Sequence, residues 1–371
     1  MKNFYTKILV MTIILFPFFS YALFDSLNFF QKAEPKDAQI KLLFAGDIFV
    51  GRYMNKWSMA SKTAQFAYPF SGLKTLERQN YDAWVGNLEC PVTKEQSTLR
   101  DSEVYLKLSC RPEYLPELKK YFDIVSLANN HTDNINKRKG IEETRKNLSE
   151  QGLKYFGDYD NSQTNEVCKI LYIKHDSSNI PFAFCGFHGV YKLPTDKELA
   201  IIKDYSKYFV TFVMPHQGEE YKFKSNTYQK LIYRKMIDNG ADMVIGSHPH
   251  VIEEVETYKN KLIFYSLGNF IFDQSWSKTK EHMTVGTEIN FPKYADNYAN
   301  LDCESISNVD CLKKARDMKV VKPNFGIKVE PIFTSSGADN ITHKTNLSDK
   351  EYNQKLKTIG FDKIASTSKI K

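Results

Sequence analysis

Short apolar runs recur along the chain, and each stops at a small or turn-forming residue that precedes a side chain able to bind a metal. The runs have the length of buried strands and cover residues 40–45, 83–85, 122–128, 208–214 and 243–245. Helix-like stretches lie between them, at residues 141–151 and 228–239, each with a glycine at the C-terminal cap position. Alternating strands and helices predict an α/β fold with a largely parallel or mixed sheet covered by helices.

Polar side chains follow all five apolar runs. They are Asp47, Asn87, Glu89, Asn130, His131, His216, His248 and His250. Proteins with such sheets bind their ligands outside the carboxyl ends of the strands. We therefore expect these side chains to face one crevice, although they are far apart in the sequence.

His248 and His250 have the spacing of two metal ligands. Pro249 stiffens the backbone between them, so both imidazoles leave the strand end on a turn and can point into one cleft. Two unrelated surface histidines are the alternative. Neutral imidazoles with carboxylate or amide oxygens suit a divalent ion such as manganese, zinc or iron. Two such ions about 3.5 to 4 Å apart would clamp a phosphate and activate a water.

Each of these residues alone also has an ordinary structural explanation. Asp47 can cap the next turn, and Asn87 and Asn130 can be turn residues. His216 can be a hydrogen-bonded histidine at the end of a strand. Their joint occurrence at five successive strand ends favours a metal site.

Six motifs lie in order along residues 40–273, about two thirds of the chain. They are Gly46-Asp47, Asn87-Leu88-Glu89, Ser126-Leu127-Ala128-Asn129-Asn130-His131, Pro215-His216-Gln217-Gly218-Glu219-Glu220-Tyr221, Gly246-Ser247-His248-Pro249-His250 and Tyr265-Ser266-Leu267-Gly268-Asn269-Phe270. In this order they resemble the poly-gamma-glutamate capsule biosynthesis protein CapA family, which is similar in turn to the calcineurin-like metallophosphoesterases. The resemblance implies a calcineurin-like metallophosphoesterase sandwich of mixed sheets flanked by helices.

The resemblance also implies roles for the polar side chains. The implied ligands form two sets, Asp47 and His250 for one ion, and Asn130, His216 and His248 for the other. His131 would be the phosphate-facing general acid.

Two positions depart from the phosphoesterase pattern. The first motif of those enzymes is Asp-x-His, and here Phe49 stands in place of the histidine after Asp47. Their second motif supplies a metal-bridging aspartate, whereas here Asn87 follows the glycine and Glu89 is the nearest carboxylate. Both departures weaken the binding of the ion at Asp47. Hydrolytic activity, which would depend on this ion, is therefore in question.

Three functional interpretations follow. The resemblance implies a cell-envelope component of capsule biosynthesis or export, which acts on an anionic polymer such as poly-gamma-glutamate, or on a phosphate ester, beside membrane-bound capsule synthesis and export proteins. The retained histidines favour a metal-dependent hydrolase of this kind. The replaced ligands favour the alternative, a non-catalytic polymer-binding or scaffold protein of the export machinery. The wider superfamily suggests a third, a periplasmic phosphoesterase.

The charge of the chain agrees with an anionic partner other than nucleic acid. The formal net charge is +7 over 371 residues, and lysine is spread along the chain with no long basic block. This distribution predicts a mildly basic solvated surface and no nucleic-acid interface. An anionic polymer would be attracted to it.

The N-terminus has the pattern of a secretory signal. Lys2 and Lys7 precede an apolar run at residues 8–19. Ser20 and Ala22 are small residues at the two positions that a signal peptidase recognises. We predict a signal peptide at 1–22, a linker at 23–39, a CapA-like metallophosphoesterase domain at 40–333 and a polar tail at 334–371 that is a loosely packed helix or disordered. The protein is then exported to the periplasm or cell envelope, and an uncleaved segment that anchors it to the membrane is the alternative.

Export makes the six cysteines candidates for disulfides. Cys168 and Cys185 lie in two apolar runs joined by a short polar link, so a hairpin would pair them. Two further pairs bracket loops, Cys303 with Cys311 and Cys90 with Cys110. Small buried thiols are the alternative. Six cysteines allow fifteen pairings, and the sequence does not choose among them.

Overall fold

The computed structural model describes residues 37–176, 178–292, 298 and 301–365. The predicted signal peptide and nearly all of the predicted linker lie outside these residues. Among the described residues, no helix is long and apolar enough to cross a membrane. A compact unit begins at Asp37, close to the predicted start of the domain at residue 40, and includes the C-terminal part of the chain.

The described residues form fourteen strands. In chain order they are β1 Ala38–Ile48, β2 Ala83–Leu88, β3 Ile124–Ser126, β4 Lys154–Phe156, β5 Cys168–His175, β6 Ser178–His188, β7 Thr211–His216, β8 Met243–Ile245, β9 Val255–Tyr258, β10 Lys261–Phe264, β11 Asn269–Ile271, β12 Glu281–Phe291, β13 Gly326–Ser336 and β14 Thr342–Lys344. All five predicted apolar runs lie within or overlap a strand.

The strands form two mixed sheets. The first has the order β14-β13-β12-β1-β2-β3-β4, with β11 also paired to β1, and β1 to β4 are parallel. The second has the order β5-β6-β7-β8-β10-β9, with β6, β7, β8 and β10 parallel. The predicted α/β sandwich of mixed sheets is confirmed. The five predicted strand ends are divided between the sheets, with β1, β2 and β3 in the first and β7 and β8 in the second.

The main core lies between the sheets. In β1, Ile40, Leu42 and Phe44 belong to this core, and the Phe44 ring contacts Phe212 of β7 at 5.1 Å between centroids. Leu43 belongs to a second core on the other face of the first sheet. Successive side chains of a strand point to opposite faces. A strand buried on both faces therefore reads as the continuous apolar run seen in the sequence.

Helices cover the outer faces. They are α1 Arg52–Ala60, α2 Leu99–Val104, α3 Leu115–Lys119, α4 Arg138–Glu150, α5 Thr164–Val167, α6 Asp196–Leu199, α7 Ile201–Ser206, α8 Thr227–Asp238, α9 Asn308–Asp317, α10 Asp349–Thr358 and α11 Asp362–Ala365. The two helices expected from the sequence correspond to α4 and α8. The Asn226 side chain caps α8 by accepting from the Gln229 backbone N–H at 2.8 Å.

The C-terminal part of the chain is packed more firmly than its polar composition predicts. Strand β13 continues to Ser336, past the predicted domain end at residue 333, and β14 pairs with it. The expected helix is present as α10, which has no fully buried residue. Ile359, Phe361 and Ile364 after it are each 6% exposed and join the main core. Three apolar side chains close together in an otherwise polar segment are enough to dock it.

Three disulfides link the six cysteines. They are Cys90–Cys110, Cys168–Cys185 and Cys303–Cys311. Cys168 and Cys185 lie directly opposite each other in the antiparallel pair β5–β6, so the predicted hairpin bridge is confirmed. These bridges agree with a protein that folds in an oxidising compartment.

Replacing both Cys168 and Cys185 with alanine is expected to lower the free energy of unfolding. The bridge spans 17 residues, and a loop of this size contributes about 3 kcal/mol in the chain-entropy model. Urea unfolding of the oxidised proteins measures the loss. The Cys303→Ala/Cys311→Ala variant, which opens a loop of 8 residues, should lose slightly less, about 2.5 kcal/mol. No loss in either variant would contradict this account.

Candidate metal centre

The carboxyl ends of strands from both sheets meet at one edge of the sandwich. Asp47 pairs with Asn87 across β1 and β2 in the first sheet. His216, at the end of β7 in the second sheet, reaches across so that its Nε2 lies 2.8 Å from Asn130 Oδ1. The eight predicted site side chains are all buried here, none more than 8% exposed.

Two glycines allow the backbone to approach closely beside this cluster. A Cβ on Gly46 would lie 1.9 Å from the carbonyl oxygen of Gly268, and one on Gly246 would lie 2.1 Å from that of Tyr265. Neither position accepts a side chain without a shift of the backbone. The glycines before Asp47 and before Ser247 are therefore needed for the close packing of the backbone beside the cluster.

Asp47 is held by hydrogen bonds from both sheets. Asn87 Nδ2 donates to Asp47 Oδ1 at 2.8 Å, and the His248 backbone N–H donates to Asp47 Oδ2 at 3.3 Å. Asn129 Nδ2 in turn donates to Asn87 Oδ1 at 3.1 Å. Both ends of the Asn87 amide are thus bonded to protein groups, and its evident role is to orient Asp47.

Glu89 lies at the middle of the cluster without a hydrogen-bond donor. Its carboxylate is fully buried, and neither oxygen has a hydrogen-bond partner among the described residues. Three imidazole nitrogens surround Glu89 Oε1, at 3.6 Å for His216 Nε2, 3.8 Å for His131 Nε2 and 4.0 Å for His250 Nε2. Burial raises the pKa of Glu89 well above its usual value, and the neighbouring charge of Asp47 raises it further. A buried carboxylate without donors calls for a cation.

The same three imidazoles each have their other nitrogen near a polar oxygen. The Nδ1 partners are Ser247 Oγ at 2.9 Å for His216, Asn269 Oδ1 at 2.8 Å for His250 and Asn134 Oδ1 at 2.8 Å for His131. With the proton on Nδ1, the rings of His131 and His250 keep their Nε2 lone pairs toward Glu89, as metal-ligating histidines do. His216 differs, because its Nδ1 also lies 3.1 Å from the donor Asn87 Nδ2 and its Nε2 lies 2.8 Å from the acceptor Asn130 Oδ1, so these contacts place its proton on Nε2. Burial lowers the pKa of His131 to about 4 and that of His216 well below its usual value, so these rings are neutral at pH 7.

The backbone at His248 and His250 is strained. Their φ angles are +101° and +60°, in a region that residues other than glycine rarely occupy. The cost is about 1–3 kcal/mol for each residue, and such strain clusters at functional sites. The predicted turn is confirmed. Burial also lowers the pKa of His248 well below its usual value, and His248 Nδ1 has no hydrogen-bond partner among the described residues.

The geometry fits a divalent cation. Asp47, Glu89 and His216 each offer one ligand atom, and these atoms lie within 4.8 Å of one another. Two ligands that are each about 2.1 Å from one ion lie about 3 to 4 Å apart. The contacts around Glu89 Oε1 have this size, and carboxylates with neutral imidazoles form a suitable donor set. The structure therefore supports a metal site at Asp47, Glu89 and His216.

The structure brings the eight predicted residues together and adds others that the prediction omits. Asn269, at the start of β11, orients His250. His188 ends β6 beside His216, and its buried Nε2 has no hydrogen-bond partner among the described residues. The sequence carries a signal for both, because Asn269 lies in the last motif and His188 directly follows the apolar run at residues 181–187.

A cleft of about 610 Å³ opens beside the centre, and its lining includes Arg52, Tyr221, Asp273 and Trp276. The Tyr221 ring lies 5.9 Å from that of His250. Arg52 donates from Nε and Nη2 to the Asp273 carboxylate at 2.8 and 2.5 Å. The guanidinium is near enough for its charge to lower the pKa of both Glu89 and His131, although burial has the larger effect on each. The cleft therefore adjoins the centre through Tyr221 and Arg52, and we call it the entrance cleft.

A second buried glutamate lies outside the cluster and makes the stability depend on pH. Glu253 is 1% exposed, its Oε2 accepts from Gln229 Nε2 at 2.6 Å, and burial raises its pKa from 4.5 to about 8. Between these values the unfolded chain is ionised while the folded protein keeps the proton. The stability that Glu253 contributes is complete below pH 4.5 and is lost as the pH rises toward 8.

Glu253→Gln should remove this dependence. Between pH 5 and pH 8 we expect the wild type to lose on the order of 2–4 kcal/mol more of its free energy of unfolding than the variant. Urea unfolding at the two pH values measures the difference. Equal losses in both proteins would mean that Glu253 ionises normally in the fold.

Comparison with known proteins places this arrangement in a family. The family described as "Bacterial capsule synthesis protein PGA_cap" matches residues 41–274. The chain is 33% identical over 270 residues to "PGA biosynthesis protein CapA" of Bacillus subtilis (strain 168), covering 67% of this chain and 67% of that protein. It is 30% identical over 271 residues to "Capsule biosynthesis protein CapA" of Bacillus anthracis, covering 67% of this chain and 64% of that protein. The chain thus spans about two thirds of the length of these curated relatives.

Among solved structures, the protein titled TT1561 of Thermus thermophilus aligns with 8% identity and a TM-score of 0.37, over 67% of this chain and 94% of that one. A likeness at this score carries no inference about the site. The match over residues 41–274 includes all eight predicted site residues. The chain belongs to the bacterial capsule synthesis family PGA_cap.

Proposed function

We propose that the protein is a cell-envelope component of capsule biosynthesis, and that its metal centre hydrolyses a bond in an anionic substrate. The substrate is a polymer such as poly-gamma-glutamate or a phosphate ester. Family membership supports the capsule role, since two relatives are named for capsule or PGA biosynthesis. The predicted signal peptide supports export to the periplasm or cell envelope, where membrane-bound capsule synthesis and export proteins are the expected partners.

The observation that carries the metal-dependent activity is the position of Glu89. The resemblance gives His216 and His250 to different ions, and Glu89 Oε1 lies within 4.0 Å of the Nε2 atoms of both. Asn87 has replaced the usual bridging aspartate and is fully hydrogen-bonded. Glu89 would therefore supply the carboxylate that lies between the two ligand sets.

The residues that would hold the ions are Asp47, Glu89, Asn130, His216, His248 and His250, with manganese, zinc or iron as candidates. A divalent ion bound there supplies a Lewis acid and lowers the pKa of a bound water. Hydrolysis adds the water oxygen to phosphorus or to a carbonyl carbon and breaks the bond to the leaving oxygen or nitrogen, which takes up a proton. His131, at the edge of the centre, is the side chain that we assign to this proton transfer.

The scaffold alternative is also favoured by a specific observation. Phe49, at the position of the missing histidine, is fully buried and its ring contacts Phe272 at 5.1 Å between centroids. An apolar contact has thus replaced one ligand. The neutral state of His131 in the free protein also provides no proton for a leaving group until an anion binds beside it. A protein that binds the metal and the polymer, but hydrolyses neither the polymer nor a phosphate ester, would fit this alternative.

The test uses the purified protein with added manganese or zinc and two substrates. Shortening of poly-gamma-glutamate chains reports amide hydrolysis, and release of nitrophenol from a phosphodiester reports phosphoesterase activity. We expect metal-dependent activity on one of them, which Asp47→Asn and His216→Ala remove. Tight metal binding without turnover of either substrate would contradict the hydrolase and favour the scaffold.

A further inference from the structure

A second cleft, of about 820 Å³, shares Arg52 with the entrance cleft and is basic. It lies between the start of α1, the segment at residues 94–102 and the segment at residues 109–113. Its charged lining residues are Arg52, Lys56, Lys94, Arg111 and Glu113. We call this cleft the basic groove. Four cations with one carboxylate give it a clear excess of positive charge.

The two lysines are free to bind an anion. Lys56 and Lys94 are exposed, and neither ammonium group has an ion-pair partner among the described residues. Lys56 Nζ lies over the Tyr53 ring at 6.0 Å, which leaves its donors to the solvent. Arg111 is already paired with Glu113 at 2.6 Å, so the available charge of the groove rests mainly on the lysines.

Nearby carboxylates are already bonded. Glu103 accepts from the Tyr53 hydroxyl, and Glu143 accepts from the Lys94 backbone N–H at 2.7 Å. Neither belongs to the lining of the groove. Their neutral donors leave both carboxylates charged, so the excess of positive charge belongs to the lining of the groove itself, where Glu113 is the one carboxylate.

The groove is a built feature of the fold. Its wall at residues 94–102 lies inside the loop that the Cys90–Cys110 disulfide closes. Ser109 Oγ donates to Gln96 Oε1 at 3.1 Å, and Gln96 Nε2 donates to the Cys110 carbonyl at 3.1 Å. These cross-links hold the two walls at a fixed separation.

Arg52 connects the basic groove to the metal centre. It lines both the groove and the entrance cleft, where Asp273 fixes its guanidinium. A chain lying in the groove and passing Arg52 would reach Tyr221, whose ring lies 5.9 Å from that of His250. The two clefts therefore adjoin at Arg52.

We propose that the basic groove binds a linear polycarboxylate chain and leads it to the metal centre. Lys56 and Lys94 offer point charges to carboxylates, and a groove suits an extended chain better than a compact ester. The inference rests on the proposed anionic-polymer substrate, but binding in the groove requires no catalysis.

The test measures binding of fluorescent poly-gamma-glutamate to the whole protein at low and high salt. Lys56→Gln/Lys94→Gln should weaken binding about fivefold at low salt and reduce the salt dependence, because two exposed ion contacts are lost. Lys203→Gln/Lys207→Gln is the matched control, since it removes the same charge from α7 and its vicinity, and Lys207 lies over the Tyr208 ring as Lys56 does over Tyr53. The control should bind as the wild type does, and thermal melting confirms that both variants fold.

Equal weakening in the two variants would mean that net charge alone attracts the polymer, and no weakening in either would place the binding elsewhere. Competition by polyphosphate at a lower concentration of charge than poly-gamma-glutamate would overturn the polycarboxylate assignment. His216→Ala should keep polymer binding although it loses the metal. If this variant and the wild type both bind the polymer and neither hydrolyses it, the hydrolase proposal fails and the groove stands. Hydrolysis with unchanged KM in Lys56→Gln/Lys94→Gln would reject the groove alone.

Discussion

Glu89→Gln is expected to lower the affinity for manganese or zinc by about 100-fold or more. The substitution keeps the shape of the side chain but removes the negative charge that faces His131, His216 and His250. Loss of groups that only orient metal ligands already costs about 10- to 100-fold in affinity, and Glu89 is assigned as a ligand itself. Titration of the metal-free protein in competition with a chelating dye measures the affinity.

The same substitution should have the opposite effect on the metal-free protein. A buried carboxylate without hydrogen-bond donors destabilises the fold, and a neutral amide relieves part of that cost. We therefore expect Glu89→Gln to melt at a higher temperature than the wild type without metal, and to show little of the rise that metal produces in the wild type. The variant would then melt above the wild type without metal and below it with metal. Such a reversal distinguishes the loss of a metal ligand from general damage to the fold.

Glu253→Gln is the matched control for this experiment. Glu253 is as deeply buried as Glu89 and also has an oxygen without a hydrogen-bond partner among the described residues, but it lies outside the cluster of imidazoles. Its replacement should leave metal affinity unchanged. If Glu89→Gln binds metal as tightly as Glu253→Gln does, Glu89 is not a ligand.

His131→Ala is expected to lower the rate of hydrolysis by about 10²- to 10⁴-fold while the protein keeps its tightly held ion. This is the usual contribution of a side chain that transfers a proton in the transition state. The rate is measured with the substrate that the two-substrate assay identifies, and the metal affinity is measured on the same preparation.

The geometry allows a competing result for His131. Its Nε2 lies 3.8 Å from Glu89 Oε1, close to the 3.6 Å of His216 Nε2. A ligand role for His131 would therefore lower metal affinity and hydrolysis together. Loss of both in His131→Ala would contradict the assignment as proton donor, and unchanged hydrolysis would remove His131 from the mechanism.

The strand-end pattern predicted which side chains meet at this edge of the sandwich but not how they interact. Asp47, His216 and His250 each follow an apolar run, and the geometry of parallel strands brings such positions to one edge. The sequence does not show that the Asn87 amide is used up by Asp47 and Asn129. It also does not show that Glu89 is buried without donors. Both facts depend on side-chain packing between two sheets, which no local pattern encodes.

Two features of the structure are not marked by the sequence pattern. The apolar run before His188 is explained by the disulfide hairpin alone, so the pattern does not single out the histidine at its end. Ile359, Phe361 and Ile364 are too few to produce a helical or strand period, and only their contacts with the main core show that the C-terminal segment is docked. The pairing of Cys168 with Cys185 was predictable because a hairpin fixes which residues lie opposite each other.

The most direct test of the metal centre is the metal content of the protein purified from the cell envelope, followed by titration with manganese and zinc. Asn130, His216 and His248 are retained together, while Phe49 replaces a ligand on the Asp47 side. We therefore predict one tightly bound ion per chain, lost on His216→Ala or His248→Ala, and a second ion that binds only with excess metal. Two equally tight ions would contradict the unequal ligand sets. No bound ion, even in excess metal, would contradict the metal centre itself.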